Sequence, residues 1–296
     1  KQLDDVDAML AMLDRADAFI DPFRPGVCER LGIGPDVVCG RNPRMIYGRM
    51  TGFGQEGPLA QAAGHDVNYV ALSGALHSIG YEGQPPTMPI NLLGDFAGGG
   101  LLLALGIACA AFERSLSGKG QVIDTAMVDG AALVFAPMFA AYASGAWGDR
   151  GTNLLDGGAP FYNVYETADG KFVSVGAIEP QFYAELLLRA GVDLDGHQMD
   201  RASWPQGKAV LAEMFQTKTR DEWCALMEGT EVCFAPVLHP GEVAAHPHNA
   251  ARGTIVEVNG VAQPQSAPRF SRTPGSAKAT CHPGAHALED VLEGWS

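Results

Sequence analysis

A chain of 296 residues, 47% apolar and 18% charged, has enough hydrophobic side chains to bury a large core, which excludes a disordered or fibrous protein. Its 34 acidic and 20 basic residues leave a formal net charge of −14, the wrong sign for gripping a phosphate backbone, so nucleic acid is not expected as a partner. Six cysteines (Cys28, Cys39, Cys109, Cys224, Cys233, Cys281) lack C-x-x-C spacing; they read as reduced, buried thiols in a cytoplasmic-type compartment rather than as a disulfide framework or zinc site.

Residues 6–13 have helical spacing, not the apolar core of a signal peptide. Ala18-Phe19-Ile20 reads as a short buried strand. It is followed by the Pro- and Arg-rich turn Asp21-Pro22-Phe23-Arg24-Pro25-Gly26 and a short helix over 27–31. A second strand is expected at 45–50, closed by Gly52-Phe53-Gly54. This strand–helix–strand alternation predicts an α/β domain with a parallel sheet, and the opening helix looks as though a leading βαβ unit had been cut off.

Helices are expected over 66–73 and 95–116. The second contains an apolar run, 96–112, that falls just short of the ~18 residues of a membrane span, is broken by three glycines and is flanked by Asp95. It reads as a fully buried core helix, with Cys109 in its packing and no membrane as partner. Gly98-Gly99-Gly100 lacks the dinucleotide fingerprint and reads as helix packing, and Gly118-Lys119-Gly120 lacks the rest of a P-loop and reads as a turn. A strand at 121–125 and one helix over 127–143 follow.

Residues 145–158 read as a polar, Gly-rich linker and the first domain boundary. Beyond it, 161–167 and 171–175 flank the turn Ala168-Asp169-Gly170, a hairpin pattern, and helices are expected over 181–190, 208–215 and 220–227. The domains are therefore placed at 1–150 (large, α/β), 151–250 (small, α+β, with the linker) and 251–296 (a return to the large domain). His246-Pro247-His248 lacks a third ligand at metal spacing and reads as a solvated loop; no metal site is expected.

Two sets of polar residues stand out. Arg24, Arg30, Arg41, Arg44 and Arg49 form a local basic cluster that could receive an anionic small ligand, although most arginines simply face water. His65 and Asp66 sit at the start of a helix, Asp95 heads the most apolar helix, and Glu179 stands between Ile178 and Pro180. An imidazole and carboxylates are the groups used for proton transfer near neutral pH. Each also has a plainer role open to it: a helix cap for Asp95, a structural histidine for His65, a first-turn acid for Glu179. The residues alone reach an α/β enzyme, with acid–base chemistry as one option.

At these residues the chain resembles the alpha-methylacyl-CoA racemases of the class III CoA-transferase (CaiB/BaiF-like) family. The resemblance runs through Phe23-Arg24-Pro25-Gly26-Val27, Gly52-Phe53-Gly54-Gln55, Gly64-His65-Asp66-Val67-Asn68-Tyr69, Gly94-Asp95-Phe96-Ala97-Gly98-Gly99-Gly100, Gly118-Lys119-Gly120-Gln121-Val122-Ile123-Asp124 and Ala177-Ile178-Glu179-Pro180-Gln181-Phe182-Tyr183. It implies that His65 and Asp95 exchange a proton with opposite faces of the substrate carbon while Glu179 assists His65. It also implies that Pro22, Phe23, Arg24, Arg30 and the backbone of Gly64, Asp66, Val67, Asn68 and Tyr69 bind CoA.

The expected reaction is racemisation at C2 of 2-methyl-branched acyl-CoA thioesters through an enolate, with CoA as part of the substrate and no separate cofactor. A Rossmann-like large domain, an interlocked homodimer and a cytoplasmic location (peroxisomal or mitochondrial in a eukaryote) belong to the same expectation. So does a family segment before Lys1, carrying a first strand and another CoA-contacting arginine. Two other readings stay open. One is a CoA-transferase with Asp95 as nucleophile, against which His65 and the 179–183 stretch stand; the other is an inactive CoA-binding fragment.

Overall fold

A computed structural model describes residues 3–194 and 196–278 of the chain. Contacts divide the chain into two compact units, Lys1–Pro160 and Phe161–Ser296.

The first unit is built on a parallel three-stranded sheet, β1 (Ala18–Asp21), β2 (Ile46–Thr51) and β3 (Gln121–Ala126), with β2 in the centre. The register sets Phe19, Tyr47 and Val122 side by side. Successive side chains of β2 point to opposite faces. On one face Tyr47 is fully buried with Leu10 and Leu13 of helix α1 (Leu3–Leu13), Val38 of α3 (Pro35–Arg41) and Met45. Its hydroxyl donates to the Ile33 carbonyl at 3.0 Å. On the other face Gly48 leaves room for Leu103 of α6 (Leu102–Ser117). Between β1 and α3 lies α2 (Val27–Leu31), bounded by Gly26 and Gly32, both in the left-handed region where glycine carries no steric cost.

Helices α4 (Asp66–Leu72) and α5 (Ala75–Ser78) follow, and a ten-residue π-helix, Leu92–Leu101, runs into α6. The expectation of a fully buried helix here is corrected. Leu103 and Ala110 are buried, but Leu101 (69%), Phe112 (69%) and Leu116 (75%) are exposed, so only one stripe packs inward. By length and composition Leu92–Ser117 is apolar enough to cross a membrane. Cys109 is exposed rather than packed, as is Cys233; Cys28 is buried, Cys39 and Cys224 lie between, and Cys281 falls outside the described residues.

The helix expected over 127–143 is two helices, α7 (Met127–Val134) and α8 (Ala136–Ala143). Pro137, in the first turn of α8, has no N–H to continue the ladder and would crowd the carbonyl four residues back. The glycine run packs helices as expected, at two of its three positions: Gly98 and Gly99 are buried, Gly100 is exposed. Gly98 meets Gly130 of α7 backbone to backbone, so closely that a Cβ on Gly130 would overlap the Gly98 carbonyl.

Residues 145–158 are no loose linker. Asn153 is fully buried, and its amide nitrogen donates to the Asp149 carbonyl at 2.9 Å and to Asp156 Oδ2 at 2.7 Å. Asp156 in turn accepts from the Gly151 and Asn153 N–H groups, both at 2.8 Å.

The second unit carries an antiparallel sheet in the order β4 (Tyr162–Glu166), β5 (Phe172–Gly176), β6 (Phe234–Val237). The hairpin turn is Ala168-Asp169-Gly170, with Gly170 at φ 71°. Helices α9 (Pro180–Ala190), α10 (Trp204–Phe215) and α11 (Arg220–Met227) accompany it, and Tyr165, Phe215 and Trp223 form its aromatic centre. His246 is not solvated: it caps α12 (Pro247–Arg252) and its Nε2 lies 2.7 Å from Glu228. A hairpin of β7 (Ile255–Val258) and β8 (Val261–Pro264) was not expected from the sequence. Residues 251–278, read from the sequence as a return to the large domain, group with this second unit, and 279–296 lie outside the described residues.

Two measurements check this packing. Gly130→Ala should lower stability by about 1–3 kcal/mol in urea, since the methyl has only backbone to displace. Arg220 donates to both oxygens of Glu242 at 2.8 Å and holds its carboxyl down at about 2. The pair's contribution is then fully present above the ordinary glutamate range and is lost as pH falls towards 2, so the acid transition of Glu242→Gln should show a smaller dependence on pH in that window.

Candidate active site

The three parallel strands end on one edge, where ligands of α/β sheets commonly bind. β1 runs into Pro22-Phe23-Arg24, and β2 into Gly52-Phe53-Gly54. Asp21 closes β1 by accepting from the Phe23 N–H at 3.0 Å, which shapes the first loop. Gln61 reaches across to it, donating to the Pro25 carbonyl at 3.0 Å.

Tyr69 fixes the second loop against α4. Its ring stands edge-on to Phe53, with centroids 4.9 Å apart, and its hydroxyl donates to the Gly64 carbonyl. Gly52 and Gly64 must be glycines here, because a Cβ on either would strike the Tyr69 ring. Burial raises the Tyr69 hydroxyl pKa, the charges of Asp95 and Asp66 raise it further, and Arg24 opposes them.

His65 is the N-cap of α4; it is exposed, and its backbone N–H donates to Asn68 Oδ1 at 3.0 Å. The next residue, Asp66, is 4% exposed. Its Oδ2 accepts from the N–H of Gly94 at 2.7 Å and of Asp95 at 2.8 Å. Asp95 is therefore not the cap of its helix, as one reading of the sequence had it. Asn91 holds that position, while Asp95 lies within the first turn, partly exposed, and accepts from Asn91 Nδ2 at 3.2 Å. The structure thus brings the histidine-bearing and aspartate-bearing segments together through one buried carboxylate.

The arginine cluster separates into two kinds. Arg41 pairs with Asp14, and Arg44 donates to the Gly118 carbonyl at 3.4 Å. Arg49 is 7% exposed, 2.9 Å from Glu29 and 3.4 Å from Asp21, which is itself fully buried. The Nε and Nη2 of Arg49 and the Oδ2 of Asp21 have no hydrogen-bond partner among the described residues. Burial lifts the neighbouring Cys28 thiol to about 11, which keeps it protonated and unreactive. Arg24 and Arg30 remain: both are exposed, and neither makes an ion pair among the described residues. The Arg30 guanidinium folds back beside Gly26, so both cations flank the 22–26 loop.

Glu179 lies in the second unit, exposed at the N-cap of α9, and makes no capping hydrogen bond with its side chain. The described residues contain no group of three or more His, Cys, Asp or Glu placed to hold a metal ion. The sequence reading missed what Asp21, Arg49 and the Asp66 side chain do. A signal was present for Arg49, a charge inside the strand pattern Ile46-Tyr47-Gly48-Arg49-Met50.

A model of CoA-transferase family III matches residues 1–287. The chain belongs to that family. Its relatives include an alpha-methylacyl-CoA racemase of Mus musculus, 46% identical over 99% of this chain and 78% of that protein. A Homo sapiens protein of the same name is 47% identical over 94% of this chain and 74% of its own length. A solved CAIB/BAIF family protein from Brucella suis has a TM-score of 0.82 at 23% identity, covering 100% of this chain and 79% of that one, which speaks for the shared α/β fold alone.

Within this family III fold, the Asp21–Arg49 pair holds the end of β1 where the 22–26 loop departs. Arg49→Met should cost about 3–5 kcal/mol in denaturant titration, because it leaves a buried carboxylate without its countercharge.

Proposed function

We propose that this chain inverts C2 of 2-methyl-branched acyl-CoA thioesters by removing and returning one proton. The observation that carries this reading is the union of the His65 and Asp95 segments through Asp66, in a unit where Arg24 and Arg30 are exposed and make no ion pair among the described residues. Relatives named as alpha-methylacyl-CoA racemases at 46% and 47% identity support it.

The chemistry follows from the groups present. The hydrogen beside a thioester carbonyl is weakly acidic, and removing it leaves negative charge on the carbonyl oxygen. A base on one face takes the proton while an acid on the opposite face supplies another, so the centre inverts. His65 and Asp95 fill these roles in either order, according to the hand of the substrate. Backbone N–H groups at the start of α4 are the donors for the enolate oxygen, each worth about 3 kcal/mol in comparable sites. Arg24 and Arg30 hold CoA phosphates by charge-assisted hydrogen bonds. In an overall acidic protein these two cations supply the local attraction that the net charge does not.

Glu179 completes the reading as the partner of His65, supplied by the second chain of an interlocked homodimer. Its support is the resemblance and an exposed carboxylate on the second unit that makes no capping hydrogen bond. Co-refolding a His65→Ala chain with a Glu179→Gln chain should give heterodimers with about half of normal activity, because one site of two escapes both lesions. Heterodimers as inactive as the parents would place Glu179 in its own chain's site.

The central test is incubation of one epimer of a 2-methylacyl-CoA in deuterated water. Deuterium should enter C2 as the mixture approaches equal epimers, and His65→Ala and Asp95→Asn should each slow this by about 100-fold or more. Transfer of CoA to a free acid without exchange at C2, with hydroxylamine trapping Asp95, would instead establish a CoA-transferase using Asp95 as nucleophile.

A further inference from the structure

We infer that the side chain of Asp66 is a positioning residue that sets the separation of the two proton-transfer groups across the substrate carbon. The inference rests on the proton-transfer reading above, but the carboxylate's role differs from that of the catalytic pair. Asp66 immediately follows His65 in the chain, and its Oδ2 takes the N–H of Gly94 and Asp95 together, at 2.7 and 2.8 Å. One atom therefore joins the backbone that carries the imidazole to the backbone that carries the opposing carboxyl.

Three further observations fit a clamp. The carboxylate is buried, and its Oδ1 has no hydrogen-bond partner among the described residues, so the two amides are what compensate for its removal from water. Gly94 is buried, and a Cβ there would stand 2.7 Å from Asp66 Oδ2, so any larger residue would push the clamp apart. The clamped amides lie in the first turn of a π-helix, where N–H groups have no acceptor within the helix and need one from outside it, and π-helical geometry itself recurs at functional sites. Inversion demands that an acid stand ready on the second face when the base has acted on the first. A site whose two halves drift apart by about 1 Å keeps the abstraction and loses the delivery, a loss on the order of 100-fold in well-oriented reactions.

The test compares Asp66→Ala, Asp66→Asn and Gly94→Ala with the wild-type chain, using 2-methylacyl-CoA in deuterated water and backbone amide exchange. Asparagine keeps one carbonyl oxygen able to accept both N–H groups and drops the charge. In Asp66→Ala, amide exchange at Gly94 and Asp95 should quicken, inversion should fall about 100-fold, and KM should change little, the pattern of an interaction realised only in the transition state. C2 exchange with retention should rise relative to inversion, because a proton removed from one face would return from the same face. Gly94→Ala should do the same, and Asp66→Asn should restore most of the wild-type ratio and amide protection.

A folded Asp66→Ala chain with the wild-type ratio of exchange to inversion overturns the inference. So does a proportional fall of both that accompanies faster amide exchange throughout the first unit, which would make Asp66 a general stabiliser. Wild-type protein that never exchanges C2 removes the racemase reading, and the amide-exchange arm then still decides whether Asp66 holds the two segments together.

Discussion

A carboxylate denied access to water must be met by hydrogen-bond donors, and the donors that meet Asp66 are two backbone amides 28 and 29 residues further along the chain. Much of the first unit is arranged so that this meeting can happen. Tyr69 pins the loop before α4 to Gly52 and Phe53 at the end of β2, and α7 presses against the π-helix through Gly98 and Gly130. The sheet supplies the floor, and glycines supply the close approaches. None of these residues is itself reactive, yet each limits where His65 and Asp95 can stand.

Electrostatics in this unit follow from competition for cations. Acidic side chains claim several arginines: Asp14 takes Arg41, Asp17 takes Arg114, and Asp21 with Glu29 takes Arg49. Arg24 and Arg30, beside the 22–26 loop, make no ion pair among the described residues. An anion arriving there meets charge that folding has not already neutralised, and being exposed it has little desolvation to lose before it binds. The buried Asp21–Arg49 pair has the opposite character: it cannot exchange partners with a ligand, and it holds the loop's point of departure fixed.

The sequence made the parallel strands, the 161–175 hairpin and most helices readable, because strand alternation, turn residues and helical spacing are local signals. It misled where a neighbour decides the outcome. The apolar run after Asp95 reads as buried because nearly every residue is hydrophobic, but only the stripe containing Leu103 and Ala110 meets the rest of the unit. Residues 145–158 have the composition of a linker, and it took Asn153 and Asp156, hydrogen-bonding to successive backbone groups, to give them a fixed shape. The candidate pair His65 and Asp95 stood out by residue type, whereas the side chain that joins them was hidden behind a plausible alternative, since an aspartate at the start of a helix needs no tertiary reason to be there.

The π-helix also bears on how this chain can change over evolutionary time. Side chains within it can be exchanged wherever they face outward, but the spacing along it is pinned at two points, by Asp66 on the amides of Gly94 and Asp95 and by Gly130 on Gly98. Deleting one residue between these fixed points would tighten the coil towards an ordinary α-helix and swing Asp95 by roughly 100° about the helix axis. Its outward-facing positions should therefore drift in composition while Gly94, Asp95, Gly98 and the segment's length stay fixed, so that codon-sized insertions and deletions in this stretch are purged while point changes on its exposed face accumulate.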